Sequence, residues 1–381
     1  MDPLIIEHVI NIAKIIQQIP APTFEEHQRA GFMLRYFLEM GLKDVILDDT
    51  GNVYALIKGQ GEKPPLVISA HLDTVFPSDT DLSISQNRKK MIGPGIGDNS
   101  LGLAGLFGLC WFLSDTSFEQ NSKPHLPGDI WLVANVGEEG LGNLKGMKAV
   151  VNRFGEDVLG YIVLEGMSLG QIYHRGLGVR RYLISVHTKG GHSWVDYGNP
   201  SAIHELADLV VKIRNLEFPA EPRTSYNVGV ISGGTSVNTI AAEAHLQLDL
   251  RSTSPVVLRI LSNQVEELVN HANQQGGEDI HVVAEMIGER PAGEIPVDHP
   301  LVKLAVESHA ANGLKANLNI GSTDANEPLS RGFPAICMGL TTGGGAHTLG
   351  EYINIKPVAQ GLQILVDLVQ GAFRGGNTID H

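Results

Sequence analysis

The sequence predicts an α/β protein in two parts: a mixed sheet flanked by helices, and a compact β-α-β-β-α-β domain inserted into it. Three observations predict this. Short apolar strands alternate with helices of 3.6-residue periodicity through the first 178 residues. From Val179 the pattern changes to strand, helix, strand, strand, helix, strand, the order of a split ferredoxin-like unit. Beyond Pro291 helix–strand alternation resumes. At 381 residues the chain also exceeds the size at which one core usually stops growing. The expected division is residues 1–178 with 292–381 as one domain and 179–291 as the insert.

Ile5, Val9, Ile12 and Ile16 mark an amphipathic helix that ends at Pro20. Thr23-Phe24-Glu25-Glu26 reads as an N-cap with an acidic first turn, opening a second helix that runs through Met40 to Gly41. Val45-Ile46-Leu47 and Asn52–Ile57 are short strands around a Thr50-Gly51 turn. Leu66-Val67-Ile68, apolar on both faces, is a central strand that ends in His71. Leu101 to Leu113 is an apolar helix, too short and too glycine-rich to span a bilayer. Asp129–Val136 and Tyr161–Leu164 are further buried strands.

In the insert, Arg180–Thr188, Tyr226–Ser232, Ala244–Arg251 and Asp279–Met286 are strands, and Pro200–Arg214 and Val256–Gln274 are helices. After it come the helix Leu301–Asn312, the strand Ala335–Leu340 and the helix Pro357–Phe373.

A formal net charge of -14 argues against nucleic acid or an anionic membrane as partner. The two cysteines, Cys110 and Cys337, lie in apolar surroundings and suit a reducing cytoplasm. Met-Asp-Pro opens the chain without a basic stretch, so no signal peptide is expected.

Chemistry-bearing residues collect at strand ends. Asp73 follows His71 by two, a spacing that shares one face of an extended chain, so its carboxylate can reach the back of the imidazole, fix its tautomer and make the other nitrogen a better metal donor. The glycine-rich Gly93–Ser100 lacks both the dinucleotide and the phosphate-loop spacing, and presents Asp98 at a helix start. Glu138 and Glu139 close a buried strand between two glycines, and Glu165 closes another. Open α/β sheets place their sites at this carboxyl edge. Acids gathered there would repel one another unless a cation neutralised them. His347, in a loop after the strand Ala335–Leu340, supplies a second imidazole.

In this order the residues resemble the aminoacylase/carboxypeptidase family of dinuclear zinc metallopeptidases, which includes glutamate carboxypeptidase, succinyl-diaminopimelate desuccinylase, acetylornithine deacetylase and peptidase T. His71-x-Asp73, Gly97-Asp98, Glu138-Glu139, Glu165, Gly191-His192, Asp249-x-Arg251, Thr323-Asp324-Ala325 and His347-Thr348 carry the resemblance across nearly the whole chain. It implies a zinc-peptidase-like catalytic domain with a ferredoxin-like lid, and two divalent ions, zinc or alternatively cobalt or manganese. Asp98 would bridge them, His71 and Glu165 would hold one, and Glu139 and His347 the other. Glu138 would be the general base, Asp73 the residue that orients His71, and His192 the oxyanion-binding histidine of the lid, supplied by the partner subunit in dimeric relatives. Asn238, Arg251 and Gly344 would touch substrate, and Trp194 would pack against an apolar substrate side chain or fill the lid. The family often has a cis peptide after the bridging acid, here before Asn99.

The resemblance further implies hydrolysis of an amide bond in a short peptide or N-acyl amino acid, and a homodimer formed through the lid. Glu165 stands where aminopeptidase and dipeptidase members tend to have aspartate, which leans toward a carboxypeptidase or deacylase. An aminopeptidase or tripeptidase of the same family, or a non-catalytic binding protein on the same fold, are the alternatives.

Overall fold

The computed structural model describes residues 2–115 and 126–374. The chain divides into two compact units, Met1–Gly176 with Gly293–His381, and Leu177–Ala292.

The first unit opens with α1 (Pro3–Gln17), capped by the Asp2 carboxylate on the Leu4 amide at 2.8 Å. Its buried stripe holds Ile5, Val9, Ile12 and Ile16, as the periodicity predicts. The second helix, α2 (His27–Glu39), starts later than the Thr23 reading, because the Thr23 hydroxyl does not cap it and instead donates to Asp73 Oδ2 at 2.9 Å. There follow β1 (Lys43–Leu47), β2 (Val53–Ile57), β3 (Lys63–His71), α3 (Leu101–Asp115), β4 (Gly128–Asn135), α4 (Lys145–Phe154), β5 (Gly160–Glu165) and β6 (Gln171–Gly176). The stretch Ile96–Leu113 is long and apolar enough to cross a membrane, but 83% of it is buried in the fold, as a core helix would be.

The inserted unit consists of β7 (Gly178–Thr188), α5 (Ala202–Arg214), β8 (Thr224–Gly233), β9 (Glu243–Ser252), α6 (Pro255–Gly276) and β10 (Ile280–Arg290). Its sheet has the order β8-β9-β7-β10, antiparallel throughout, which is the ferredoxin-like arrangement. Alternate residues Tyr182, Ile184 and Val186 of β7 and Leu246, Leu248 and Leu250 of β9 form a core with Leu206 and Leu209 of α5 and Leu261 and Val265 of α6. Period-2 burial along the strands thus puts both helices on one face.

The first unit resumes with α7 (Pro300–Ala311), β11 (Asn317–Gly321), α8 (Asn326–Ser330), β12 (Ala335–Gly339) and α9 (Val358–Arg374). Among the described residues its sheet has nine strands in the order β1-β2-β4-β3-β5-β12-β6-Gly293–Glu294, with β11 also on β6. The four central strands β4, β3, β5 and β12 are parallel and almost wholly apolar, as strands covered on both faces must be. Their register sets His71 beside Asn135, and Glu165 beside Gly339. All four carboxyl ends therefore open on one edge. A small sheet joins Gly343–Gly344, Tyr352–Asn354, Lys90–Ile92 and Ser85–Gln86, and so lays the late His347 segment against the early segment that leads to Asp98.

Candidate metal centre

Five predicted ligands meet at that edge. His71 Nε2 lies 3.0 Å from Asp98 Oδ1 and 3.7 Å from Glu165 Oε2. His347 Nε2 lies 3.2 Å from Asp98 Oδ2 and 3.2 Å from Glu139 Oε1. Asp98 thus turns one carboxylate oxygen to each imidazole, with Glu165 on one side and Glu139 on the other. His71, Asp98 and Glu165 present donor atoms within 4.8 Å of one another, as do Asp98, Glu139 and His347, and as do His71, Glu138 and Glu139.

The main chain around these groups is fixed by neighbours. The peptide between Asp98 and Asn99 is cis, as the resemblance implies. The buried Asn99 side chain donates to the Leu164 carbonyl at 2.8 Å and accepts from the Gly166 amide at 2.9 Å, so it clasps the residues on either side of Glu165. Gly166 is required by this approach: a Cβ there would stand 2.1 Å from the Gly97 carbonyl oxygen. His347 sits in the left-handed region at φ 63°, at the turn of its loop.

Asp73 differs in detail from the expectation. The strand ends at His71, so the chain bends and the Asp73 carbonyl, not its carboxylate, takes the closest hydrogen bond from His71 Nδ1 at 3.0 Å. The carboxylate stands 3.5 Å from Nδ1 and accepts instead from the Glu138 and Glu139 amides at 3.0 and 2.8 Å. One residue therefore sets the tautomer of a ligand and the main chain of the paired glutamates. Burial alone would raise the Asp73 carboxyl, but the His71 ring and the two amides outweigh it and hold it below its ordinary range.

The remaining groups lie within hydrogen-bond reach of one another, and each shifts its neighbours. Burial pushes Glu165 up to about 7, with the Asp98 and Asp324 charges adding to it against the opposing His71 ring. Hydrogen bonds to Asp98 and Glu139 carry His347 up to about 10. Burial opposes protonation of His71, yet its bonds to Asp73, Asp98 and Glu165 raise it well above the usual imidazole value. Carboxylates at this density demand positive charge among them. The donor set fits divalent cations: carboxylate oxygens and two imidazole nitrogens, with Glu139 Oε1 sealed from solvent and facing His347 Nε2 at 3.2 Å.

Sequence reasoning missed several supports. Glu26, buried at the start of α2, accepts from the Gly137 amide at 3.1 Å, next to Glu138. Asn135 donates to Asp324 at 2.7 Å beneath the site, both fully buried. Glu351, four residues past His347, is likewise fully buried. Asp324 stands in the Thr323-Asp324-Ala325 motif quoted above, without a role there; Glu26, Asn135 and Glu351 have no short-range spacing that could have revealed them.

Within the inserted unit, the strand pair Gly191–His192 with Thr239–Ile240 brings His192 beside Asn238, whose carbonyl accepts from the Ser193 amide at 3.1 Å. His192 Nδ1 accepts from the Trp194 and Val195 amides at 3.2 and 3.4 Å, which leaves the proton on the exposed Nε2. Trp194 is 86% exposed, so it does not fill the lid core. Arg251 lies at the far end of β9 from this hairpin and donates to Asp249 at 2.6 Å. Gly344, half-buried, pairs with Tyr352 three residues before His347.

Comparison with known proteins falls on the same two units. The family model of the M20 peptidase dimerisation domain matches residues 175–277, and that of peptidase family M28 matches residues 52–171. Together they cover more than half of the chain.

The chain belongs to the M20/M28 metallopeptidases.

This metallopeptidase is 24% identical to the uncharacterized protein YqjE of Bacillus subtilis over 370 residues, 94% of this chain and 96% of the relative. In structure it is similar to a tripeptidase of Staphylococcus aureus, with a TM-score of 0.81 at 22% identity, over 97% of this chain and 99% of that one. It is also similar to the YXEP protein of Bacillus subtilis, a dinuclear metal-binding peptidase of the M20 family, with a TM-score of 0.68 at 16% identity, over 98% and 99%.

Proposed function

We propose that this metallopeptidase hydrolyses an amide bond of a short peptide or N-acyl amino acid at a dinuclear centre held by His71, Asp98, Glu139, Glu165 and His347. The observation that carries the reading is the division of Asp98 between two imidazoles, one carboxylate oxygen to each, with a further carboxylate on each side. Two divalent cations held there, zinc by the resemblance or else cobalt or manganese, would acidify water and polarise the amide carbonyl. Glu138, set by the Asp73 bond to its amide, takes the proton from the attacking water and delivers it to the leaving amine. His192, with its proton on Nε2, offers a donor to the developing oxyanion. Asn238, Arg251 and Gly344 are assigned to substrate contact.

Glu165 supports the carboxypeptidase or deacylase branch of the activity. The likeness to the Staphylococcus tripeptidase supports a second reading, the aminopeptidase or tripeptidase alternative, which would act on a free amino terminus. Peptides blocked at one end separate the two. Turnover of N-acylated substrates with a free carboxylate is expected, and turnover confined to free amino termini would install the second reading. Chelation should abolish activity and zinc, cobalt or manganese restore it. Glu138→Gln should keep its metal and lose about 100- to 10,000-fold in kcat. A purified chain that takes up no metal and cleaves no member of the panel would leave the binding-protein alternative.

The match to a dimerisation domain supports a homodimer through the inserted unit, as does β8, an edge strand with Val230 and Ile231 47% and 58% exposed. Light scattering at micromolar concentration should give twice the chain mass. The two buried thiols, Cys110 and Cys337, favour a reducing compartment, the cytoplasm.

A further inference from the structure

The loop that carries His347 continues to Glu351, whose side chain is 0% exposed. Its Oε1 accepts from the Gly97 amide at 2.7 Å and the Asp98 amide at 2.8 Å, and its Oε2 from the Gly95 amide at 3.1 Å. The main chain joins in: the Gly93 amide donates to the Glu351 carbonyl at 2.9 Å. A carboxylate 253 positions away in sequence thus gathers three amides of the turn that presents Asp98. Gly95, at φ +72°, bends that turn so that its N–H groups converge.

The same short stretch also delivers His347, which meets Asp98 Oδ2 at 3.2 Å. Asp98 is therefore held at its main chain by Glu351 and met at its carboxylate by His347. The three amides are divided between both carboxyl oxygens, and a side chain with a single acceptor oxygen cannot take all three.

We propose that Glu351 is a positioning residue of the metal centre, fixing the Asp98 main chain so that its two carboxylate oxygens face His71 and His347. The proposal rests on the dinuclear reading above. Its chemistry orders the variants. Glu351→Gln keeps one acceptor oxygen for the Gly97 and Asp98 amides but turns an NH2 group toward the Gly95 amide. Glu351→Ala leaves all three amides without their acceptor.

The test is zinc titration of the full chain by calorimetry, for wild type and both variants, with steady-state kinetics at saturating zinc and thermal unfolding of the metal-free protein. Wild type should take up two ions. Glu351→Gln should bind them about 10- to 100-fold more weakly, the usual effect of removing a hydrogen-bond partner behind a ligand. Its kcat should fall with KM unchanged, and Glu351→Ala should fall further on both counts. Should Glu351→Ala not fold, Glu351→Gln decides alone. Wild-type zinc affinity and kcat in Glu351→Gln, with only the unfolding temperature lowered, would make Glu351 a structural residue and overturn the proposal while leaving the dinuclear reading standing. A wild-type chain without zinc would overturn both.

Discussion

Asp73 shows how much a single buried carboxylate can organise. It touches Thr23, the Glu138 and Glu139 amides and the edge of His71. Asparagine in its place offers one acceptor oxygen and one donor, so an amide of the glutamate pair must face an NH2 group. Asp73→Asn should therefore weaken metal binding about 10- to 100-fold and lower kcat, while Thr23→Ala changes either far less; calorimetry and kinetics check this together. His71, Asp98, Glu138, Glu139 and Glu165 were legible in the sequence because each closes an apolar strand or opens a helix, where a polar residue stands out, and His347 because it supplies a second imidazole in a loop after a strand. Glu26 and Glu351 were not. They accept main-chain amides of residues 111 and about 250 positions away, and an amide has no sequence identity to match. Thr23 was legible but misread, since cap chemistry and a distant hydrogen bond look the same along the chain.

At the scale of elements, the central strands were predictable because burial on both faces makes them continuous apolar runs. β6 and β11 were not foreseen: β6 alternates in burial, but its buried side is Ile172, His174 and Gly176, so the residue types show no apolar alternation, and β11 exposes Asn317, Leu318 and Asn319. Helix α7 carries an element-level liability in His309, fully buried, whose Nδ1 donates to the Ala305 carbonyl at 2.7 Å while Nε2 is sealed without a partner. Burial lowers its pKa below the usual 6.5. Below about 6.5 the unfolded chain takes a proton that the folded chain refuses, so stability should fall as pH drops through that value. Urea midpoints of the metal-free protein at pH 7.5 and 5.5 should differ less in His309→Gln than in wild type. Equal differences would remove His309 as the cause.

At the scale of the whole molecule, the candidate ligands to metal among the described residues belong to one unit, Met1–Gly176 with Gly293–His381. A cation that binds the folded state stabilises what it binds, by about 2.7 kcal/mol at a hundredfold excess over Kd. Chelation should therefore lower the thermal transition of that unit and leave hydrogen exchange in β7–β10 unchanged; loss of protection across both units alike would contradict the assignment. The same unit is interrupted by the insert, with His71, Asp98, Glu139 and Glu165 encoded before it and His347 after it. During synthesis, a ribosome must therefore translate the whole lid before the last imidazole can join the others. A nascent chain still short of that histidine holds an acidic half-site, so the candidate ligand set is complete only after the insert has been made.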